Sequence, residues 1–177
     1  DGGMKALLAN VYSTVPMEDF TFRPNTGFNA RNYDGVNGTS NIAFLSDEAA
    51  RSEGGGDITE GFDYWPYSDI RQVNIFIETV KSSLEKGILN QEDATRMIAE
   101  ARFARAYIYF GLAKRYGGVP IIDRVQDGDY VPGNPEALKV PRSTEADTWK
   151  FIIKEFGEVA NELPTSRDGY RFTKWGA

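Results

Sequence analysis

Apolar positions in this chain recur mainly at the three- and four-residue spacing of helices. The densest case surrounds Glu100 to Ile122, EARFARAYIYFGLAKRYGGVPII, where two stripes run side by side. Met97, Ala101, Ala104, Ile108 and Leu112 form one; Ala99, Phe103, Ala106, Phe110 and Ala113 form the other. A helix with one stripe lies on a core, whereas two stripes need cover on both sides. This stretch is therefore expected to be a central helix, with Arg102, Arg105 and Tyr109 in the strip that remains. Gly117-Gly118 ends it, since glycine takes positive φ without steric cost. Pro120 keeps it from restarting.

Three further helices follow from the same spacing. Lys5 to Val15 places Leu8, Val11, Tyr12 and Val15 on one face before Pro16. A second begins near Pro66, carries Ile70, Val73, Ile77, Val80 and Leu84, and stops at Gly87. The central helix opens at Asn90, where Asp93 approximates a capping box. The last opens at Ser143 or Thr144, with Asp147 in its first turn, and ends at Pro164. Its stripe is Trp149, Ile152, Ile153, Phe156, Val159, Ala160 and Leu163. A polar connection of Gly, Asn and Asp runs from Glu18 to Asp63, and a shorter one from Asp123 to Arg142. A loop as long as the first is usually functional or disordered. The predicted class is all-α, helices with long irregular loops, forming one domain over residues 1–177.

Composition narrows the chemistry. There is no cysteine and no histidine. That removes disulfides, thiol nucleophiles, imidazole bases, the Ser-His-Asp triad and Cys- or His-ligated metals. The balance of 26 Asp+Glu against 20 Lys+Arg argues against nucleic acid, which selects clustered positive charge. No apolar run approaches the roughly 18 residues of a membrane helix. Aromatic residues reach 13%, with 9 Tyr and 3 Trp, which suits a binding surface better than an active site lacking histidine.

Three constellations could carry chemistry. Arg102 and Arg105, one turn apart, read either as an anion clamp or as structural arginines. The structural reading is preferred, because buried guanidinium groups need partners. Asp123, Asp127, Asp129 and Asn134, and separately Asn32, Asp34 and Asn37, supply oxygen donors. Neither set has EF-hand spacing or a closing glutamate, so both read as polar turns, and no metal or cofactor is expected. Asp63-Tyr64-Trp65-Pro66-Tyr67 crowds three aromatics and an acid where the long loop meets the second helix. An aromatic face can stack on a sugar ring while polar neighbours take its hydroxyls. The competing reading is a hydrophobic staple, with Trp65 folded onto the helix entrance.

Several of these residues form a recognisable pattern: Glu100-Ala101-Arg102-Phe103, Arg105-Ala106, Tyr109-Phe110 and Tyr116-Gly117-Gly118-Val119-Pro120. Ser68-Asp69-Ile70 through Asn74, Pro141-Arg142-Ser143-Thr144 and Gly169-Tyr170-Arg171-Phe172-Thr173-Lys174 follow the same order and spacing. The chain thereby resembles the SusD/RagB family, the surface glycan-binding lipoproteins of Bacteroidetes outer membranes. The resemblance implies a scaffold of tetratricopeptide-like helical pairs, although no clean 34-residue repeat is visible, and a further helix starting at Thr173. It implies the N-terminal portion of a longer lipoprotein, anchored by a lipid upstream of Asp1 and exposed at the cell surface. It also implies a non-catalytic protein that captures an oligosaccharide or similar nutrient and delivers it to a SusC-like TonB-dependent transporter. It shifts the aromatic cluster toward ligand binding: Trp65, Tyr64, Asp63 and Tyr67, with Arg51 in the long loop as a second candidate. Two alternatives are a helical adaptor holding a peptide in its groove and a two-carboxylate glycosidase.

Overall fold

The computed structural model describes residues 2–15, 22–23, 27–28, 64–126, 132–166 and 171–177. It divides into two compact units, residues 16–65 and residues 1–15 with 66–177. In the first, two short strands, β1 (Phe22–Arg23) and β2 (Gly27–Phe28), pair antiparallel with Phe22 opposite Phe28. The second unit is all-α, as the periodicity requires. Asp63 and Arg51 lie outside the described residues, as do Asn32, Asp34, Asn37, Asp127, Asp129, Gly169 and Tyr170.

Four α-helices of the second unit are described: α1 (Gly2–Ser13), α2 (Tyr67–Glu85), α3 (Gln91–Tyr116) and α4 (Glu145–Glu162). Helix α3 packs against α1, α2 and α4, which explains its double stripe. Both stripes are buried apart from the half-buried Phe110, and so are Glu100, Arg105 and Tyr109 between them. Asn90 caps α3 by accepting from the Asp93 amide at 2.8 Å, and Thr144 caps α4 by accepting from Asp147 at 3.1 Å. Helix α2 starts after Pro66 without a side-chain cap and is closed by Gly87 at φ 69°. A 3₁₀ turn, Lys174–Gly176, stands where the start of a further helix was expected, with Thr173 at its N-cap.

Helix α4 departs from its sequence pattern. Ile153, expected inside, is 68% exposed, while the buried face is Thr148, Ile152, Glu155 and Val159. The reason for the buried glutamate is electrostatic. Glu155, on the buried face, is paired there with two arginines of α3, and Ile153 is the one residue of the expected stripe left exposed. Apolar contact is kept by Ala99, Phe103, Val159 and Leu163, with Tyr107, Phe156 and Phe172 against them.

The paired glycines after α3 have different jobs. Gly117 takes φ 67°, a conformation that side chains disfavour, and its amide closes on the Ala113 carbonyl at 2.9 Å. Gly118 is needed for proximity: a Cβ there would stand 2.1 Å from the Ser143 carbonyl oxygen. That approach brings the entry of α4 against the exit of α3, where Ser143 N–H bonds Val119 O at 3.2 Å. The Arg142 guanidinium, donating to the carbonyls of Gly118 and Tyr116, closes the same junction.

Candidate functional site

The residues that carry the sequence pattern converge on buried polar contacts between helices. Arg105, 5% exposed, donates from Nη2 to Glu155 Oε2 at 2.8 Å and from Nη1 to Asn74 Oδ1 and the Asp123 carbonyl, both at 2.6 Å. Arg102 grips Glu155 through two donors, at 2.7 and 3.2 Å, and reaches Glu158 on the next turn. On the opposite side, Arg171 holds the fully buried Glu100 with Nη2 at 2.7 Å from each carboxylate oxygen. The Tyr12 hydroxyl donates to Glu100 at 2.6 Å and accepts from the Phe172 amide at 2.9 Å. Phe172 stacks between Tyr12 and Phe103, with centroids 4.3 and 4.1 Å away. These groups join α1, α3, α4 and the final segment, and their donors face carboxylates of the protein itself.

The charges respond accordingly. Burial would raise the Glu155 carboxyl, but the hydrogen bonds and charges of Arg102 and Arg105 hold it below the usual glutamate value. The Glu155 hydrogen bonds in turn raise Arg102, keeping its guanidinium charged. Burial, reinforced by donation to Glu100, pushes the Tyr12 phenol up to about 12. Neither carboxylate is placed to exchange a proton with a ligand.

The aromatic cluster divides. Tyr64 is buried at 8% exposure, whereas Trp65 is 56% exposed. Tyr67 is half-buried; its hydroxyl donates to the Pro120 carbonyl at 2.7 Å, and burial pushes its phenol up to about 12. Within the helical unit Tyr67 also lines a cleft of about 600 Å³ with Ser68, Arg71, Ile122, Arg124, Gln126 and Leu138. The sequence reading missed this cleft. The signal available was Asn74: its amide donates at 3.1 Å to the carbonyls of both Ile122 and Arg124, so a buried asparagine fixes one wall. The Tyr109 hydroxyl secures the same wall by accepting from the Ile122 amide at 2.7 Å. The Gln126 amide, donating to the Leu138 carbonyl at 3.2 Å, ties the other wall.

Among the described residues no group of three or more acids could hold a metal ion, and no helix is long and apolar enough to cross a membrane.

Comparison with known proteins agrees with this architecture. The profile of the SusD-like family, described as starch-binding associating with outer membrane, matches residues 4–177. A SusD-like protein of Bacteroides ovatus is 31% identical over 111 residues, which is 63% of this chain and 19% of that protein. The crystal structure of a SusD-like protein from Bacteroides fragilis superimposes with a TM-score of 0.65 at 25% identity, covering 97% of this chain and 32% of that one. A laminarin-binding SusD-like protein shares the fold with a TM-score of 0.67 at 18% identity, over 98% of this chain and 37% of that one. The chain thus spans about a fifth of the curated relative's length and about a third of these structures' chains. A profile match from Met4 to Ala177, with the pattern residues placed as interhelical ties, establishes that the chain belongs to the SusD-like family.

Proposed function

We propose that this chain is the helical scaffold of a non-catalytic glycan-binding protein, and that Trp65 provides the stacking face for a sugar ring. The observation that carries the reading is the 56% exposure of Trp65, beside the buried Tyr64 and the half-buried Tyr67. A tryptophan more than half exposed can offer a π-face that matches the C–H face of a pyranose, and it needs no charge to do so. Two further facts support it. The laminarin-binding relative shares the fold. The buried carboxylates Glu100 and Glu155 are committed to arginines, which leaves neither as general acid or water-activating base.

By family resemblance, the intact protein sits at the outer membrane and hands its ligand to a SusC-like TonB-dependent transporter. The test uses the full-length protein and a panel of soluble glycans that includes starch and laminarin oligosaccharides, with calorimetry and a reducing-sugar assay run together. Binding without release of reducing ends is expected, weakened about tenfold by Trp65→Ala, which corresponds to roughly 1.4 kcal/mol. Turnover of a bound glycan would overturn the non-catalytic reading. An unchanged affinity in Trp65→Ala would remove Trp65 from the site.

A further inference from the structure

The cleft beside the start of α2 has a chemistry that the proposed glycan binding does not require. We infer that it is a subsite for an anionic saccharide, taking the carboxylate of a uronate or the ester of a sulfated sugar; this rests on the glycan-binding reading. The chain as a whole is acidic, with a formal net charge of −6. Yet the described residues that line the cleft include two arginines, Arg71 and Arg124, and no aspartate or glutamate. A guanidinium presents five N–H donors in a planar fork, so it can receive an oxyanion in bidentate fashion while keeping other contacts.

The rest of the cleft fits a sugar carrying such a group. Ile122, Leu138 and the half-buried Tyr67 supply apolar surface for ring carbons, and the exposed Ser68 and Arg71 stand at its edge. Helix α2 begins without a side-chain cap, so the partial positive charge of its first turn adds to the two arginines. Asp69 in that turn carries one opposing negative charge against the two arginines. The site is also held in shape. The wall bearing Ile122 and Arg124 is fixed by Asn74 and Tyr109, both almost wholly buried, so the arginine is presented from a segment that the helical core positions. A cleft whose walls are tied by buried side chains loses little entropy on binding. About 600 Å³ accommodates a sugar residue or two, within the range of ligand pockets.

The experiment uses the full-length protein and three probes: an oligogalacturonate, a sulfated galactan oligosaccharide and a neutral galactan oligosaccharide. Affinities are measured by calorimetry at low and physiological salt. At least one anionic probe should bind tenfold or more tighter than the neutral one, with the advantage shrinking as salt rises. Arg71→Gln and Arg124→Gln should each remove most of that advantage, with affinity for the neutral probe and melting temperature unchanged, since both side chains are exposed. The two anionic arms identify which oxyanion is read. Equal affinity for charged and neutral probes, or arginine variants that bind as the parent does, would overturn the anionic subsite and leave glycan binding standing. Failure to bind any saccharide, here and in the wider glycan panel, would overturn both.

Discussion

Removing Arg105 tests whether the pattern arginines hold the fold or hold a ligand. In the full-length protein, Arg105→Ala would remove the donor from two buried acceptors, Glu155 Oε2 and Asn74 Oδ1, and from the part-buried Asp123 carbonyl. The Arg105 and Glu155 side chains are 6% and 7% exposed, so water does not replace the lost donors freely. Breaking a buried pair by deleting one partner costs about 3–5 kcal/mol. Arg102 still engages Glu155 here, which favours the lower end, about 3 kcal/mol. At about 2–4 °C per kcal/mol for a domain of about 150–250 residues, the melting temperature should fall by about 6–12 °C, and by less where the cooperative unit is larger. Arg102→Ala should cost less, because its outer partners Glu158 and Glu162 are 46% and 35% exposed and already well screened.

The cycle completed by Glu155→Ala should show a coupling energy with Arg105 of about 0.5–3 kcal/mol. The pH dependence has a definite sign. Glu155 titrates below its ordinary value of 4.5, so its contribution is complete above that pH and is lost as pH falls through the depressed value. Glu155→Gln should therefore flatten the acid limb of the stability curve. An Arg105→Ala protein that melts with the parent but no longer binds glycan would refute the structural assignment.

Three other outcomes follow from the same geometry. Trp65→Ala should lower glycan affinity with little change in melting temperature. Trp149→Ala should do the reverse, costing about 1–3 kcal/mol, since the half-buried Trp149 packs edge-on to Phe110 at 5.8 Å; matching effects from the two would refute the division. Gly118→Ala should destabilise by about 3 kcal/mol or more, because its Cβ would overlap the Ser143 carbonyl and push the α3–α4 junction apart; a variant that melts normally would show that the junction gives way easily. Tyr12 and Tyr67, raised from 10.0 to about 12, favour the neutral phenol in the fold, so their contribution is complete below pH 10 and is lost as pH rises from 10 through about 12. Phenolate absorbance should show them ionising above the ordinary tyrosine value of 10.0; a single titration near 10 with the helical signal intact would contradict their burial.

Features set by neighbours within one helical turn are the ones legible in the sequence. The caps at Asn90 and Thr144 were legible because their partners, Asp93 and Asp147, sit within the same turn. The burial of both faces that α3 turns to its neighbours was legible because two apolar stripes need cover on both sides. The family pattern was visible in full, but not why each residue belongs to it. That Arg105 meets Glu155 across 50 positions, or Arg171 meets Glu100 across 71, has no local signal. The buried face of α4 could not be read either: by hydropathy Ile153 belongs inside and Glu155 outside. The facing arginines account for the buried Glu155, since enclosed guanidinium groups left without a carboxylate partner would be strongly destabilising. The same holds for the cleft. Tyr67, Arg71, Arg124 and Leu138 carry no shared sequence signature, and they meet because Asn74 and Tyr109 fold the segment after α3 back along α2. Periodicity fixes which face of a helix is apolar, but what stands opposite that face is set by packing.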